Sequence, residues 1–282
     1  MKKSILFFGA FAFAASVSLA QTQTGQNNSS TTDQTGNNNT ATVDQLGNDN
    51  VSTLLQDGKR NMGKVEQGGF GGGGTQSNNA EAFMSQIGND NEALIQQRQG
   101  FPSGTAASFH EIIQDGKENN AILRTFNGGN QGYVLQVGNR NDANGSQSQS
   151  GHILFIDQIG NDNVAVVDQL GAKNNFAEIG QTGNDNDAKT MQRGDTNFAY
   201  IFQTGNDNVA TEIKQDGDFN LISVFQDGNM NNSTINQLGN LNIGEVSILG
   251  NSNITTLTQT GNGNYSLQLV TGNGNMSTVV QN

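Results

Sequence analysis

Side chains able to do acid–base or metal chemistry are scarce in this chain. It has two histidines, His110 and His152, and no cysteine, so histidine-based catalytic dyads and zinc sites have almost no raw material. Both histidines read as odd occupants of core or ladder positions. Asp49, Asp90, Asp162, Asp185 and Asp207 recur in Gly-Asn-Asp-Asn corners, which brings calcium to mind. The calcium-binding β-roll, however, repeats every nine residues, whereas this chain repeats every 11. A turn-favouring, solubilising Asp at an exposed corner is the better reading. The run Gly71–Gly74 lacks the Lys and Ser or Thr of a phosphate loop and reads as a flexible loop. The recurring chemical group is instead the primary amide of Gln and Asn, which both donates and accepts hydrogen bonds.

The motif Gln-x-Gly-x-x-Asn begins at Gln23, Gln34, Gln45, Gln56, Gln86, Gln114, Gln136, Gln158, Gln169, Gln181, Gln192, Gln203, Gln215, Gln226, Gln237 and Gln259, mostly at 11-residue spacing or a multiple of it. Degenerate copies place Gln67, Gln97, Thr125, Gln147, Ile248 and Val270 in the glutamine slot. Between the Asn of one copy and the Gln of the next the chain alternates, as from Asn39 through Ala41 and Val43 to Gln45, and from Asn163 through Ala165 and Val167 to Gln169. Period two predicts β-strand. Of 22 such stretches, the first ending at Gln34 and the last at Gln281, 19 have Ala, Ser, Gly or Thr two residues past the Asn slot, and most have an aliphatic residue four past it. A polar, low-complexity composition by itself permits disorder, but a disordered tract does not hold two size classes in register.

The glycine two residues after each Gln, such as Gly47, Gly160 and Gly205, together with the following Asn-Asp pair, supplies the positive φ of a tight corner. One strand plus one corner takes 11 residues, and two strands per coil make a 22-residue rung. The expected fold is therefore all-β: a two-sheeted β-solenoid of about eleven rungs, each rising about 4.7 to 4.8 Å. Inside it, stacked amides form ladders, expected through Gln34, Asn39, Gln45, Asn50, Gln56, Asn61, Gln136, Asn141, Gln158, Asn163, Gln169, Gln192, Asn197, Gln203, Gln226, Asn231 and Gln237. Buried amides are costly unless bonded, and identical side chains on successive rungs satisfy one another. Between the amides the core is expected at Ala41, Val43, Leu54, Ala93, Ile95, Ala121, Leu123, Ala165, Val167, Ala199, Ile201 and Ile235.

Every aromatic residue placed on a strand by this register points outward, and all fall on odd-numbered strands, hence on one sheet: Phe83, Phe109, Tyr133, Phe155, Phe176, Phe198, Tyr200, Phe202, Phe225 and Tyr265. The remaining Phe residues fall in corners or loops. The opposite face is expected to carry residues such as Lys64, Glu66, Arg124, Asp142, Lys189 and Glu212. A contiguous aromatic stripe marks an interaction surface.

Residues 1–20 read as a secretory signal peptide: Lys2 and Lys3, an apolar stretch from Ile5 to Val17, then small residues around Ala20. The apolar run is too short to span a bilayer. Its removal takes the net charge from −12 to −14, a chain that repels nucleic-acid phosphates. Residues 21–282 form the solenoid, with loop insertions near 68–79 and 98–107, where Gln67 to Gln86 spans 19 residues and Gln97 to Gln114 spans 17. Both insertions follow even-numbered strands, so they should leave one edge on consecutive rungs, with Phe70–Thr75 and Phe101–Thr105 at their tips.

This pattern resembles curlin, the subunit of bacterial curli fibres, over essentially the whole mature chain. By position, Asn50, Ser52, Leu54, Gln56 and Gly58 match the family's internal Asn, small, aliphatic, Gln and turn-Gly residues, as do Asn163, Ala165, Val167, Gln169 and Gly171. The chain departs in having more repeats than the best-known curlins and two insertions. The resemblance implies a cross-β amyloid fibre that polymerises with itself, export through a curli-type secretion channel, nucleation by a minor subunit, and a biofilm-matrix and adhesive role outside the cell. From the residues themselves no cofactor, no enzyme activity, no nucleic-acid partner and no membrane insertion are expected. A monomeric ligand- or ice-binding solenoid is the alternative, and a solenoid polysaccharide enzyme a third class. The strand pattern runs from Asn28 to Gln281 with nothing left over for capping elements, which favours the fibre; a regular outer threonine array and an acidic cluster in a groove are both absent.

Overall fold

A computed structural model describes residues 18–68, 77–98, 107–171 and 173–282. The hydrophobic part of the expected signal peptide, the glycine run 71–74 and both insertion tips lie outside the described residues. Two compact units divide the chain at Asn139 and Arg140, and each is a two-sheeted solenoid of parallel strands.

In the first unit sheet A is ordered β1 (Ser18–Thr24), β3 (Thr40–Asn48), β5 (Met62–Gln67), β8 (Glu92–Arg98), β10 (Asn120–Phe126), and sheet B is ordered β2 (Ser29–Asn37), β4 (Val51–Lys59), β7 (Glu81–Asn89), β9 (Phe109–Lys117), β11 (Gln131–Asn139). A two-residue stub, β6 (Ser77–Asn78), pairs with the end of β3. In the second unit sheet A runs β12 (Asp142–Ser148), β14 (Val164–Gln169), β16 (Asp187–Arg193), β18 (Val209–Asp216), β20 (Asn232–Leu238), β22 (Ile254–Thr260), β24 (Met276–Gln281). Its sheet B runs β13 (Ile153–Asn161), β15 (Phe176–Asn184), β17 (Phe198–Asn206), β19 (Leu221–Asp227), β21 (Ile243–Leu249), β23 (Tyr265–Thr271). These amount to about five and about six rungs, the all-β solenoid of about eleven turns that the repeat predicts. Strand β1 lies upstream of the first expected strand and begins within the expected signal peptide, at Ser18.

Register is set by the period-two side-chain pattern. Pairing β13 with β15 aligns Ile156 with Ile179 and Gln158 with Gln181, and a one-residue slip would turn every inward side chain out. Two copies are 12 residues apart rather than 11, and the fold absorbs the extra residue differently in each. Between Gln169 and Gln181 it enlarges the corner, so that Asn174 takes the positive φ and Asn175 the buried slot. Between Gln203 and Gln215 it becomes a bulge in β18, where Ala210 and Ile213 point in while Thr211 and Glu212 do not. The second insertion leaves β8 and the first leaves β5, neighbours in sheet A; the Gly68 amide donates to the Gln97 carbonyl at 2.8 Å.

Corners are tight because backbone stacks on backbone there. Gly183 has φ +124°, and a Cβ placed on it would stand 1.9 Å from the Gly205 carbonyl oxygen. The corner Asp residues Asp49, Asp90, Asp162, Asp185 and Asp207 all adopt left-handed φ between 55° and 59°, a conformation Asn and Asp tolerate. Gly183→Ala therefore combines a disfavoured φ with a backbone collision. It should lower stability by about 2 kcal/mol or more, read as a lower guanidinium midpoint, whereas Asp185→Asn at the adjacent corner position should leave the midpoint nearly unchanged.

Candidate functional site: the amide ladders and the two outer faces

Twelve aliphatic and small residues expected in the core, from Ala41 to Ile235, are buried, each at most 2% exposed. The expected ladder amides are buried as well, apart from Gln34 near the first rung, which is half-buried. In sheet A of the second unit one unbroken file of amides runs Gln147, Gln169, Gln192, Gln215, Gln237, Gln259, Gln281, with Nε2 of each donating to Oε1 of the next at 2.8 to 3.2 Å. Sheet B repeats this through Gln158, Gln181, Gln203 and Gln226 at 2.9 Å. In the first unit Gln34, Gln56, Gln86, Gln114 and Gln136 form another file. The second N–H of most of these Gln residues crosses the core to a backbone carbonyl at the start of the facing sheet's strand, as Gln192 to Phe176 at 2.8 Å. Each such Gln thus ties rung to rung and sheet to sheet.

The inner Asn residues are bonded differently from a simple side-chain stack. Asn163 Oδ1 accepts both the backbone N–H and Nδ2–H of Asn186 on the next rung, while Asn163 Nδ2 donates to the Gly183 carbonyl in that rung's corner. The same set recurs through Asn208, Asn231 and Asn253. Their role is to saturate the corner backbone, whose carbonyls and amides would otherwise be unpaired.

A third ladder escaped the sequence reading. In the second unit the residue after the turn glycine accepts, through Oδ1, the backbone N–H of its counterpart one rung earlier: Asn184 from Asn161, Asn206 from Asn184, Asn229 from Asn206, Asn251 from Asn229 and Asn273 from Asn251 along one set of corners. At the other corners Asp195 and Asp218 do the same for Lys173 and Asp195. Only an acceptor is needed there, so Asp serves as well as Asn. The recurrence of Asn or Asp after the glycine was the available signal.

His152 occupies an Asn slot and imitates Asn. Its Nε2–H donates to the Ser148 carbonyl at 2.7 Å, the bond that Asn197 makes to Arg193, and its Nδ1 accepts the Asn175 backbone N–H at 3.2 Å. Burial depresses its pKa, outweighing the Ser148 and Gly171 backbone contacts and the Asp195 charge, so the ring is held neutral. His110 fills a small-residue slot, with Gly132 beside it: a Cβ on Gly132 would be 2.7 Å from His110 Cδ2.

The outer faces differ in chemistry. Phe83, Phe109, Tyr133, Phe155, Phe176, Phe198, Tyr200 and Phe202 stand half-buried on sheet B, and Phe225 and Tyr265 stand exposed there. Phe126 closes β10 on sheet A, under the Arg98 guanidinium at 5.8 Å. Sheet A carries Lys64 paired with Glu66, plus Arg124, Asp142, Lys189 and Glu212. At the corners Arg60 grips Asp90 and Arg140 grips Asp162 through two bonds each, holding both carboxyls below the usual range. Among the described residues no group of three or more His, Asp or Glu is placed to hold a metal ion, and no helix is long and apolar enough to cross a membrane.

The repeat described as the curlin associated repeat matches residues 22–47, 36–69, 154–183, 183–211 and 210–239. Between these stretches the described residues carry the same glutamine file, through Gln86, Gln114 and Gln136. No curated protein matches the chain.

His152 makes the fold sensitive to mild acid. Its folded pKa lies below its unfolded value near 6.5, so its full contribution is present above that value and is lost as pH falls through the folded pKa. His152→Asn should match the wild type above pH 7 and exceed it by about 1 kcal/mol at pH 5, measured as the difference in denaturant midpoint. The raised carboxyls of Asp157, Glu178 and Asp187 act with the opposite sign and are common to both proteins.

Proposed function

We propose that the chain, five stretches of which match the curlin associated repeat, is the structural subunit of an extracellular, curli-like amyloid fibre. The carrying observation is that within the second unit successive rungs, such as those of β14–β15 and β16–β17, are joined by one set of bonds: a parallel strand ladder, a glutamine file and two asparagine ladders. Nothing in that set distinguishes the next rung of the same chain from a rung of another copy. Between like side chains the Gln Nε2 donors point toward the later rung and the inner Asn Nδ2 donors toward the earlier one, while the inner Asn Nδ2 also donates forward to the next corner's glycine carbonyl. Copies stacked in the same sense therefore extend all ladders at once. The resemblance to curlin repeats supports, as parts of the same reading, export through a dedicated secretion channel, nucleation by a minor subunit and a place in the biofilm matrix. The protein removed of residues 1–20 should assemble without added cofactor into denaturant-resistant fibres with a meridional reflection at about 4.7 to 4.8 Å. Solutions that stay monomeric when seeded and concentrated would refute the reading and favour a monomeric binding solenoid.

The aromatic stripe supports a second part of this reading, lateral bundling and adhesion. Rings that merely raise strand propensity would fall on both sheets, whereas ten of the strand aromatics stand on sheet B. Replacing Phe155, Phe198, Tyr200 and Phe202 by Thr should leave single fibres forming while bundle width and surface attachment fall in micrographs and adhesion assays. Unchanged bundling would remove the stripe from this role.

A further inference from the structure

Two places on the outer surface of sheet B repeat one arrangement of rings around a carboxylate. In β9, Phe109 and Glu111 point outward, and register sets Glu111 between Phe83 of β7 and Tyr133 of β11. In β15, Phe176 and Glu178 do the same, with Phe155 of β13 before and Tyr200 of β17 after. The ring geometry agrees between the two. Phe109 and Tyr133 have centroids 5.5 Å apart at 36°, and Phe176 and Tyr200 are 5.4 Å apart at 38°. Each site is a cross with Glu at its centre, Phe on the earlier rung, Tyr on the later one and Phe two residues back along the strand.

The second cross is the more enclosed. Phe155 and Phe198 stand 5.9 and 6.3 Å from Phe176, and Asp157 lies on the earlier rung. Gly180 provides room for Phe202 to lean inward: a Cβ there would stand 2.8 Å from Phe202 Cδ1. Partial desolvation among these side chains pushes the Glu178 carboxyl up, and Asp157 adds to the effect. In the first cross desolvation, then the Glu111 charge, raises the Tyr133 hydroxyl.

Among the described residues neither carboxylate has a counter-charge beside it. Outward Lys and Arg on the strands, Lys64, Arg98 and Arg124 in the first unit and Lys189, Arg193 and Lys214 in the second, all stand on sheet A. Lys59 and Lys117 lie past the corner glycines of β4 and β9, Lys173 sits in a corner, and Arg60 and Arg140 are paired with Asp90 and Asp162. The strand slot itself does not call for rings: Glu245 holds the same position in β21 between Ser223 and Leu267.

We propose that each cross is a binding site for a small organic cation bearing a methylated ammonium group, its charge against Glu111 or Glu178 and its methyls against the Phe and Tyr rings. An aromatic face attracts a cation through its quadrupole, and a methylated ammonium is drawn to a ring-lined site for that reason. Arg98 over Phe126 shows the same attraction within the protein, on sheet A. Each cross is complete in one chain, so the proposal stands apart from polymerisation and applies to the monomer and to the single, unbundled fibre alike.

The test uses the full mature chain and choline, with 3,3-dimethylbutanol as the uncharged isostere. Binding is followed by equilibrium dialysis and by tyrosine fluorescence, since Tyr133 and Tyr200 lie in the crosses and Tyr265 does not. Choline should bind saturably, at two sites per chain, and the isostere at least tenfold more weakly. Glu111→Gln with Glu178→Gln should weaken choline at least tenfold with an unchanged β-sheet circular dichroism spectrum, while Glu245→Gln should have no effect. Non-saturable uptake, equal affinity for the isostere, or an equal loss with Glu245→Gln would overturn the proposal. Capture on phosphatidylcholine vesicles without binding of free choline would overturn it too.

Discussion

Stacking like residues at the spacing of a β-sheet is the constraint on which the rest of this structure depends. At about 4.8 Å a primary amide can donate to one neighbour and accept from the other, which lets Gln and Asn occupy an interior that would otherwise exclude them. The backbone then decides which way each ladder faces. Gln Nε2 must aim at a carbonyl of the facing sheet, as Gln203 does at Asp187, and Asn Oδ1 must accept the next rung's amide, as Asn186 does from Asn208. The glutamine file and the inner asparagine file therefore run with opposite side-chain donor directions along the coil, while the outer asparagine file runs with the glutamines.

The same constraint explains which substitutions the repeat accepts. His152 fits an Asn slot because a neutral imidazole offers one donor and one acceptor at comparable positions. Asp195 and Asp218 fit the outer corner ladder because that position only accepts. Thr255 and Ser233, in the small slot, bond to each other across a rung at 2.9 Å. Bulk is admitted where the neighbouring rung yields, as Gly132 does for His110. An extra residue is admitted at a corner or as a bulge, because either returns the next glutamine to register.

With inward positions committed to ladders and small aliphatic packing, charge and aromaticity are left to the outer faces and corners. There the two sheets diverge. Sheet A mixes both signs, with Lys64 on Glu66 and Arg98 over Phe126, while the strands of sheet B combine rings with carboxylates such as Asp33, Glu111, Asp157 and Glu178. A face of that kind is open to partners from outside the fold, whether a second fibre or a cation.

By itself the sequence determined the β class, the strand register, the 22-residue rung and which side chains face inward, because each depends on a local period of two or 11 that is visible in the residues. It also determined that ten aromatics share one sheet, since alternate strands must alternate between sheets in a two-sheeted coil, while Phe126, expected in a corner, ends β10 on the other. Only the tertiary structure decided the bonding inside the coil: that glutamines span to the facing backbone, that inner asparagines serve the corners, and that a third ladder runs outside them. It alone placed Glu111 and Glu178 each between a Phe and a Tyr at matching ring distances, and set Ser18–Thr24 as a strand beside β3. The reason is physical. Periodicity reports which way a side chain points, whereas its ladder or cross-core partner is a residue 16 to 30 positions away, brought near only when the rungs stack.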